Sequence, residues 1–207
     1  MAWTANPLAT LHAMKGDFER ADQFLREANE ILDQLHSLTS TVSHHEALVR
    51  MLADQPELAE LRLREGAQRL ASMSDRGLLA TTNAMLAQAV YAQGRFGEAG
   101  ALCRAAAEAG APEDIVTQVV WRGVEARLLA REGQAERAEA LAREGVALVE
   151  ATDLLSHFGD AMLDLADVLR TGSSADGYHD AARTALSLYE QKGNAVGAAR
   201  ARALLKN

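Results

Sequence analysis

Turn-like segments recur along this chain at a constant interval, and that interval restricts the fold more than any other feature of the sequence. The central positions of the turns are 16, 55, 94, 133 and 172, so each lies 39 residues after the previous one. Four of the five positions are glycine, which ends a helix readily because it adopts left-handed backbone angles. The remaining position is Gln55, where we expect Asp54 to be an N-cap and Pro56 the first helical residue. Such a period predicts an array of similar structural units.

Apolar residues after each turn follow the period of an α-helix. After the first turn they are separated by steps of three and four residues, which places on one helix face Phe18, Ala21, Leu25, Ala28, Leu32 and Leu35. The fifth residue after the turn is small in most units, and we expect it to let paired helices approach closely. The alanines at this position are Ala21, Ala99, Ala138 and, after a longer loop, Ala182. In the second unit Glu60 stands there instead, with Ala59 beside it.

A second helix is predicted before each turn. The ranges expected for these helices are 6–15, 42–53, 78–93, 112–132 and 154–170. Three of them carry signals for their first residues: Asn6 as an N-cap followed by Pro7, Pro112 at a helix start, and Asp153 as a cap. Only three prolines occur in 207 residues, so long uninterrupted helices are expected.

These patterns predict an all-α solenoid of about five helix–turn–helix repeats, since no segment shows the sustained alternation of a β-strand. The repeats are expected at residues 1–37, 38–75, 76–111, 112–152 and 153–193 of a single domain spanning 1–207. Residues 194–207 are expected to form a capping helix, because the last unit of an array otherwise exposes its apolar face.

The small residues around the turns resemble the signature of the tetratricopeptide (TPR) family. In two successive units they are Ala87, Gly94, Ala99 and Ala106, then Ala126, Gly133, Ala138 and Gly145, with Trp121 suggesting the signature tryptophan. The period is longer than the usual ~34 residues of that family, which implies longer helices. More specifically, segments 79–94, 111–123 and 187–194 resemble the TPR-rich C-terminal region of large actinobacterial regulatory ATPases, including those with a class III adenylate/guanylate cyclase domain. This resemblance implies a sensing or interaction role in signal transduction, beside a separate catalytic domain.

Composition argues against several classes of function. The formal net charge is −8 and lysine and arginine do not cluster, so no nucleic-acid partner is expected. No run of about 18 apolar residues predicts a membrane span. The single cysteine, Cys103, excludes an internal disulfide and favours a cytoplasmic location. Its position four residues after Ala99 predicts a buried side chain.

No arrangement of residues predicts catalysis. The patterns of phosphate-binding loops and dinucleotide-binding folds are missing. His44 and His45 are adjacent, so on a helix they point about 100° apart and do not suggest a metal site. Asp160, Asp164 and Asp167 share a helix face, which we interpret as a solvated face rather than a site for a cationic ligand. We therefore expect a protein that is not an enzyme and has neither cofactor nor metal.

In a curved stack of helix pairs, the first helix of each pair lines the concave side. The residues predicted to line this groove are Asn83, Gln88, Tyr91, Arg127 and Arg131. The two arginines lie four residues apart and beside amide and phenol groups, an arrangement suited to a peptide carboxylate or backbone, although pairing with nearby acids such as Glu132 is the alternative. The first hypothesis is therefore a binding scaffold for a protein or peptide partner on the concave groove. The alternative is a sensor of a small effector within a larger ATPase, cyclase or transcriptional regulator.

Overall fold

The computed structural model describes residues 2–34, 41–73, 75–171 and 175–206, and every regular element within these ranges is an α-helix. The helices are α1 (Ala2–Met14), α2 (Phe18–Gln34), α3 (Thr41–Leu52), α4 (Pro56–Met73), α5 (Arg76–Ala92), α6 (Phe96–Ala109), α7 (Ile115–Arg131), α8 (Ala135–Glu150), α9 (Leu155–Thr171), α10 (Ala175–Lys192) and α11 (Ala195–Leu204). Helices α1 to α10 form five successive hairpins, and α11 follows them. The chain is an α-solenoid with a C-terminal capping helix, which confirms the predicted fold class.

The two helices of each hairpin lie in different layers. Odd-numbered helices pack side by side, α1 on α3, α5 on α7 and α7 on α9, whereas even-numbered helices pack against odd-numbered ones. The sequence reflects this difference in burial. Helix α7 buries residues on most of its circumference, while α8 buries a single stripe of Ala138, Ala142, Gly145 and Val149. The odd-numbered helices thus form the inner, concave layer and the even-numbered helices the outer layer.

Glycine holds the left-handed position in three of the turns, but the second turn differs from the prediction. Gly16, Gly94 and Gly133 have φ of +82°, +78° and +79°. In the second turn this position belongs to Asp54, with φ of 58°, and not to Gln55. The turn centres are therefore 16, 54, 94 and 133, at intervals of 38, 40 and 39. Asp54 is not an N-cap, although Pro56 does begin α4 as expected. The fifth predicted centre, Gly172, lies outside the described residues.

With the corrected turn, the alanine pattern holds in the second unit as well. Ala59 is the fifth residue after Asp54, so Ala59 and not Glu60 takes the position of the small residue in this unit. The alanines at this position, Ala21, Ala59, Ala99, Ala138 and Ala182, are all 0% exposed. Cys103 is also buried, as predicted, and its burial raises the pKa of the thiol to about 12. A small side chain at each hairpin contact keeps the paired helices close.

Three predicted helix starts are wrong. Helix α1 includes Ala2, so Asn6 is no N-cap and Pro7 lies inside the helix. Helix α7 begins after Pro112, and Asp114 caps it by accepting a hydrogen bond from the Thr117 N–H. Helix α9 begins at Leu155, and Thr152, rather than Asp153, provides the side-chain acceptor, to the Leu154 N–H. Pro112 and Asp153 lie close to the starts of α7 and α9 but do not mark the first residue, whereas Pro7 does not mark the start of α1 at all.

Glu60 joins the second hairpin to the third. Its carboxylate accepts hydrogen bonds from Arg64 at 2.8 Å, from Gln93 at 2.8 Å and from Arg95. The pKa of Glu60 is lowered to about 2, chiefly by the bond from Arg95. This ionic contact links the second hairpin to the third, beside the packing of α4 on α5.

Helix α11 closes the solenoid on itself. It packs against α10 and α9 and also contacts α1 at the opposite end of the array. Val196 packs on the apolar cluster formed by α1, α2 and α3, and Arg200 Nη2 donates a 2.6 Å hydrogen bond to the Met51 carbonyl oxygen on α3. The six odd-numbered helices therefore form a closed ring.

Candidate functional site

Two adjoining cavities of about 60 Å³ each lie on the concave side, and side chains from all six odd-numbered helices line them. A cavity of this size holds a few water molecules or a small ligand, because one water needs roughly 10–15 Å³ of such volume, but it does not hold an extended peptide. The predicted groove residues are distributed between this interior and the outer surface.

Two of the predicted residues lie on the middle of α5. Gln88 lines both inner cavities. Asn83 is half-buried and lines neither of them. Gln88 and Asn83 therefore do not line a common cavity.

Tyr91, Arg127 and Asp164 form a row across α5, α7 and α9. The Arg127 guanidinium lies 4.4 Å from the centre of the Tyr91 ring, and its Nε is 3.1 Å from Asp164 Oδ1. The side chains of Arg127 and Asp164 are only 15% and 16% exposed. Burial raises the pKa of Asp164 to about 6, although the charge of Arg127 opposes this shift. The charge of Arg127 is thus compensated within the protein, by Asp164 rather than by Glu132.

Arg131 occupies a different environment, on the outer surface. Its guanidinium stacks over Phe96 of α6 at 3.8 Å from the ring centre. It lines a cleft of about 410 Å³ between α6 and α7. We call this the α6–α7 cleft; its lining residues are Phe96, Gly97, Gly100, Arg104, Glu125, Leu128, Leu129, Arg131 and Glu132.

Two glycines open the α6 wall of this cleft. A β-carbon at Gly97 would meet no atom within 4 Å, and one at Gly100 would lie 3.6 Å from Leu128. The cleft is therefore wide because α6 lacks side chains at these two positions. Its floor is apolar, formed by Phe96, Leu128 and Leu129.

Charged groups from both walls surround the apolar floor. Arg104 on α6 and Arg131 on α7 form no salt bridge with any described residue, although both line the same cleft. Glu125 Oε2 is buried without a hydrogen-bond partner among the described residues, and burial raises the pKa of this carboxyl group. Arg104 was not predicted, because only the first helix of each pair was expected to line the groove. The signal was present, since Gly97, Gly100 and Arg104 are spaced by three and four residues.

The adjacent histidines point towards different helices, as their offset predicts. His44 Nε2 is 2.7 Å from Thr82 Oγ1 on α5, and His45 Nδ1 is 3.1 Å from Thr10 Oγ1 on α1. Burial lowers the pKa of both imidazoles, to about 4 for His44. Within the ranges that the structure describes, no three His, Cys, Asp or Glu side chains converge as ligands for a metal ion.

The aspartates of α9 do not form the solvated face expected from the sequence. Asp160 and Asp164 line the inner cavities, and only Asp167, at 38% exposure and paired with Arg170, lies in solvent. The interpretation is therefore wrong for the first two. Their inward direction follows from the position of α9 in the ring of odd-numbered helices.

Stacked helical hairpins, joined through small residues and closed by a terminal helix, define this chain as a TPR-like α-solenoid. A solved structure with the same architecture is a Podosopora anserina protein described as a putative kinesin light chain with nearly identical TPR-like repeats. The TM-score is 0.56 at 17% sequence identity, over 91% of this chain and 95% of that one, a likeness that shows the fold alone. No protein-family model and no curated protein matches the sequence. Among the described helices, none combines the length and the apolar character needed to cross a membrane.

Proposed function

We propose that this chain is a non-catalytic interaction module that binds a segment of a partner protein in the α6–α7 cleft. One observation carries the proposal: Arg104 and Arg131 stand on the two walls of a cleft of about 410 Å³, and neither has a salt-bridge partner among the described residues. The volume lies within the usual range of roughly 300–1,000 Å³ for binding pockets. The TPR-like solenoid is, in general, a fold of interaction scaffolds.

The chemistry of the cleft favours an acidic segment with an apolar anchor. A guanidinium binds a carboxylate through two parallel hydrogen bonds, and two arginines on opposite walls can hold two carboxylates or one from both sides. Stacking on Phe96 restricts the Arg131 side chain before binding, which lowers the entropy lost on association. Glu125 and Glu132 repel an acid placed beside them, so they select one register of the partner.

A pair of glycine substitutions tests this location. Gly97 is the second residue of α6, and Gly77 is the second residue of α5. Peptides selected from a random displayed library are titrated by calorimetry against wild type, Gly97→Leu and the matched control Gly77→Leu. We expect Gly97→Leu to weaken binding at least about tenfold, because its side chain fills the cleft, while Gly77→Leu leaves the affinity unchanged.

Removing the arginines tests the chemistry of the partner. Arg104→Ala and Arg131→Ala are each expected to reduce the affinity for acidic peptides by about tenfold and to weaken its dependence on salt. Arg143→Ala is the control, because Arg143 is an exposed residue of α8 paired with Glu139. Selected peptides without acidic residues, or full affinity in both cleft variants, would contradict the proposal.

The wider context comes from the sequence alone. The module is proposed to function in the cytoplasm as part of a larger signalling protein with an ATPase or cyclase domain. The division into repeats at 1–37, 38–75, 76–111, 112–152 and 153–193, with a cap at 194–207, also stays a prediction.

A further inference from the structure

Glu125 lines the α6–α7 cleft with part of its carboxyl group buried. It lies on α7, about two helical turns before Glu132, so the two acids share one wall of the cleft. Glu125 Oε2 has no hydrogen-bond partner, and no cation of the described residues forms a salt bridge with this carboxyl group. A carboxylate that has lost its water without gaining a partner is unfavourable in its charged form.

Charged groups from three sides act on Glu125. Burial is the main reason that its pKa is raised above the ordinary 4.5; Arg104 of α6 and Arg137 of α8 oppose this shift, and Glu132 at the end of α7 adds to it. Cys103 of α6 is a titratable neighbour that stays protonated, because its own pKa is about 12. From α5 and α9, which also pack on α7, no charged group of the described residues acts on Glu125.

The charge of Glu125 is directed at the space that an acidic partner would occupy. A segment held by Arg104 and Arg131 would bring its carboxylates into the cleft that Glu125 lines. Like charges in a partly buried cleft repel each other more strongly than in water. Ionised Glu125 also attracts Arg104 and so competes with the partner for it. Protonation of Glu125 removes the repulsion and releases Arg104 at the same time.

Protonation and binding are reciprocal in such an arrangement. If the neutral form of Glu125 binds an acidic segment more tightly, the bound segment must raise the proton affinity of Glu125 by the same factor. The carboxyl group becomes neutral as the pH falls through its pKa, so the change in affinity has the sign of tighter binding in acid.

We propose that protonation of Glu125 strengthens the binding of an acidic segment in the α6–α7 cleft, which makes the interaction of this chain with its partner favoured at acidic pH. The inference rests on the proposed function and adds its regulation. Glu125 acts through its charge, and the buried Oε2 does not touch the partner.

Calorimetry of the full chain with 1,5-naphthalenedisulfonate tests the pH dependence. This probe carries an apolar ring system and two sulfonates that stay ionised throughout, so a change in affinity comes from the protein. We expect binding to be at least about threefold tighter at about pH 5 than at about pH 7.5. Gly97→Leu, which fills the cleft, should weaken binding at both pH values and thereby locates the probe.

Two variants of the same cleft wall assign the effect. Glu125→Gln should bind at about pH 7.5 at least about threefold more tightly than wild type and lose most of the pH dependence. Glu132→Gln removes an equal charge from the same cleft but leaves Glu125, so it should keep the pH dependence of the wild type. Equal pH dependence in wild type and Glu125→Gln would overturn this inference alone, whereas a wild type that binds no probe at any pH would overturn the cleft itself.

A carbon-13 NMR titration of the assigned Glu125 carboxyl signal provides a measurement on the wild type that needs no variant to fold. In the free protein its midpoint should lie above 4.5, and saturation with 1,5-naphthalenedisulfonate should raise it further. A midpoint that the bound probe leaves unchanged would refute the link between protonation and binding.

Discussion

The carboxylate of Asp164 on α9 occupies the space that a β-carbon on Gly123 of α7 would fill. The contact is completed by Arg127, whose Nε donates to the Gly123 carbonyl oxygen at 3.2 Å and pairs with Asp164 at 3.1 Å. The Asp164 carboxylate thus fits into the space left by Gly123 and pairs with Arg127, and these contacts join α7 to α9. Because the ion pair is buried, its stability depends on this fit.

Gly123→Ala should therefore destabilise the protein, by about 2–4 kcal/mol in the free energy of unfolding measured with urea. The added methyl group displaces Asp164 and separates it from Arg127. Gly97→Ala is the matched control, since its β-carbon meets open space; helix propensity then stabilises by up to about 1 kcal/mol. The same change is expected to have opposite signs at the two sites, and equal signs would contradict the structure.

Asp54→Gly should stabilise the second turn by about 0.5–1 kcal/mol, because Asp54 holds a φ of 58° that glycine adopts without strain. The converse change, Gly94→Ala, should destabilise by about 1 kcal/mol at φ +78°. Thermal unfolding followed by circular dichroism measures both. A lower melting temperature for Asp54→Gly would count against the assignment of this turn.

The period of the turns was enough to predict the solenoid, but not the residue at each turn. The constant spacing and the neighbouring Pro56 predict Gln55 as the turn centre, whereas the left-handed position belongs to Asp54. Aspartate tolerates these backbone angles better than most residues, so the turn needed no glycine. The buried Ala59, five residues later, was the available signal for the true register.

Glu60→Gln should weaken the contact between the second and third hairpins, with a loss of about 1–2 kcal/mol near pH 7. The pKa of Glu60 is about 2 in the folded protein, against 4.5 for the free side chain. A lowered carboxyl pKa stabilises fully above the unfolded value, and this contribution is lost as the pH falls from about 4.5 to 2.

Urea unfolding at a series of pH values checks this prediction. The wild type should lose stability between pH 4.5 and 2 more steeply than Glu60→Gln does. Glu57→Gln, at an exposed position in the first turn of the same helix, is the control and should retain the slope of the wild type. Parallel curves for wild type and Glu60→Gln would argue against the contact with Arg95.

Acidification should also act through His44, at a higher pH. Its pKa is lowered by burial to about 4 from 6.5, so the folded state favours the neutral ring. The unfolded chain binds more protons between these values, and stability should fall by roughly 2 kcal/mol as the pH drops from 6.5 to 4. His44→Gln, which can still donate to Thr82, should flatten this part of the curve. NMR titration of the His44 ring giving a pKa near 6.5 would refute the prediction.

The candidate sites were less accessible to sequence reasoning than the fold. Arg127 and Asp164 lie 37 residues apart, and their pairing depends on the register between hairpins, which a repeat period does not specify. The α6–α7 cleft depends on glycines of an outer helix, while the prediction followed the inner helices. Arg131 was predicted for the concave groove, whereas at the end of α7 it lines the outer cleft instead.

Contact between α1 and α11 changes the mechanics expected of a helical array. An open solenoid extends under tension like a spring, because each hairpin touches only its neighbours. Here a load applied between the two ends must first separate Val196 from the apolar cluster formed by α1, α2 and α3 and Arg200 from the Met51 carbonyl oxygen. The ring therefore resists stretching until these contacts between its two ends are broken.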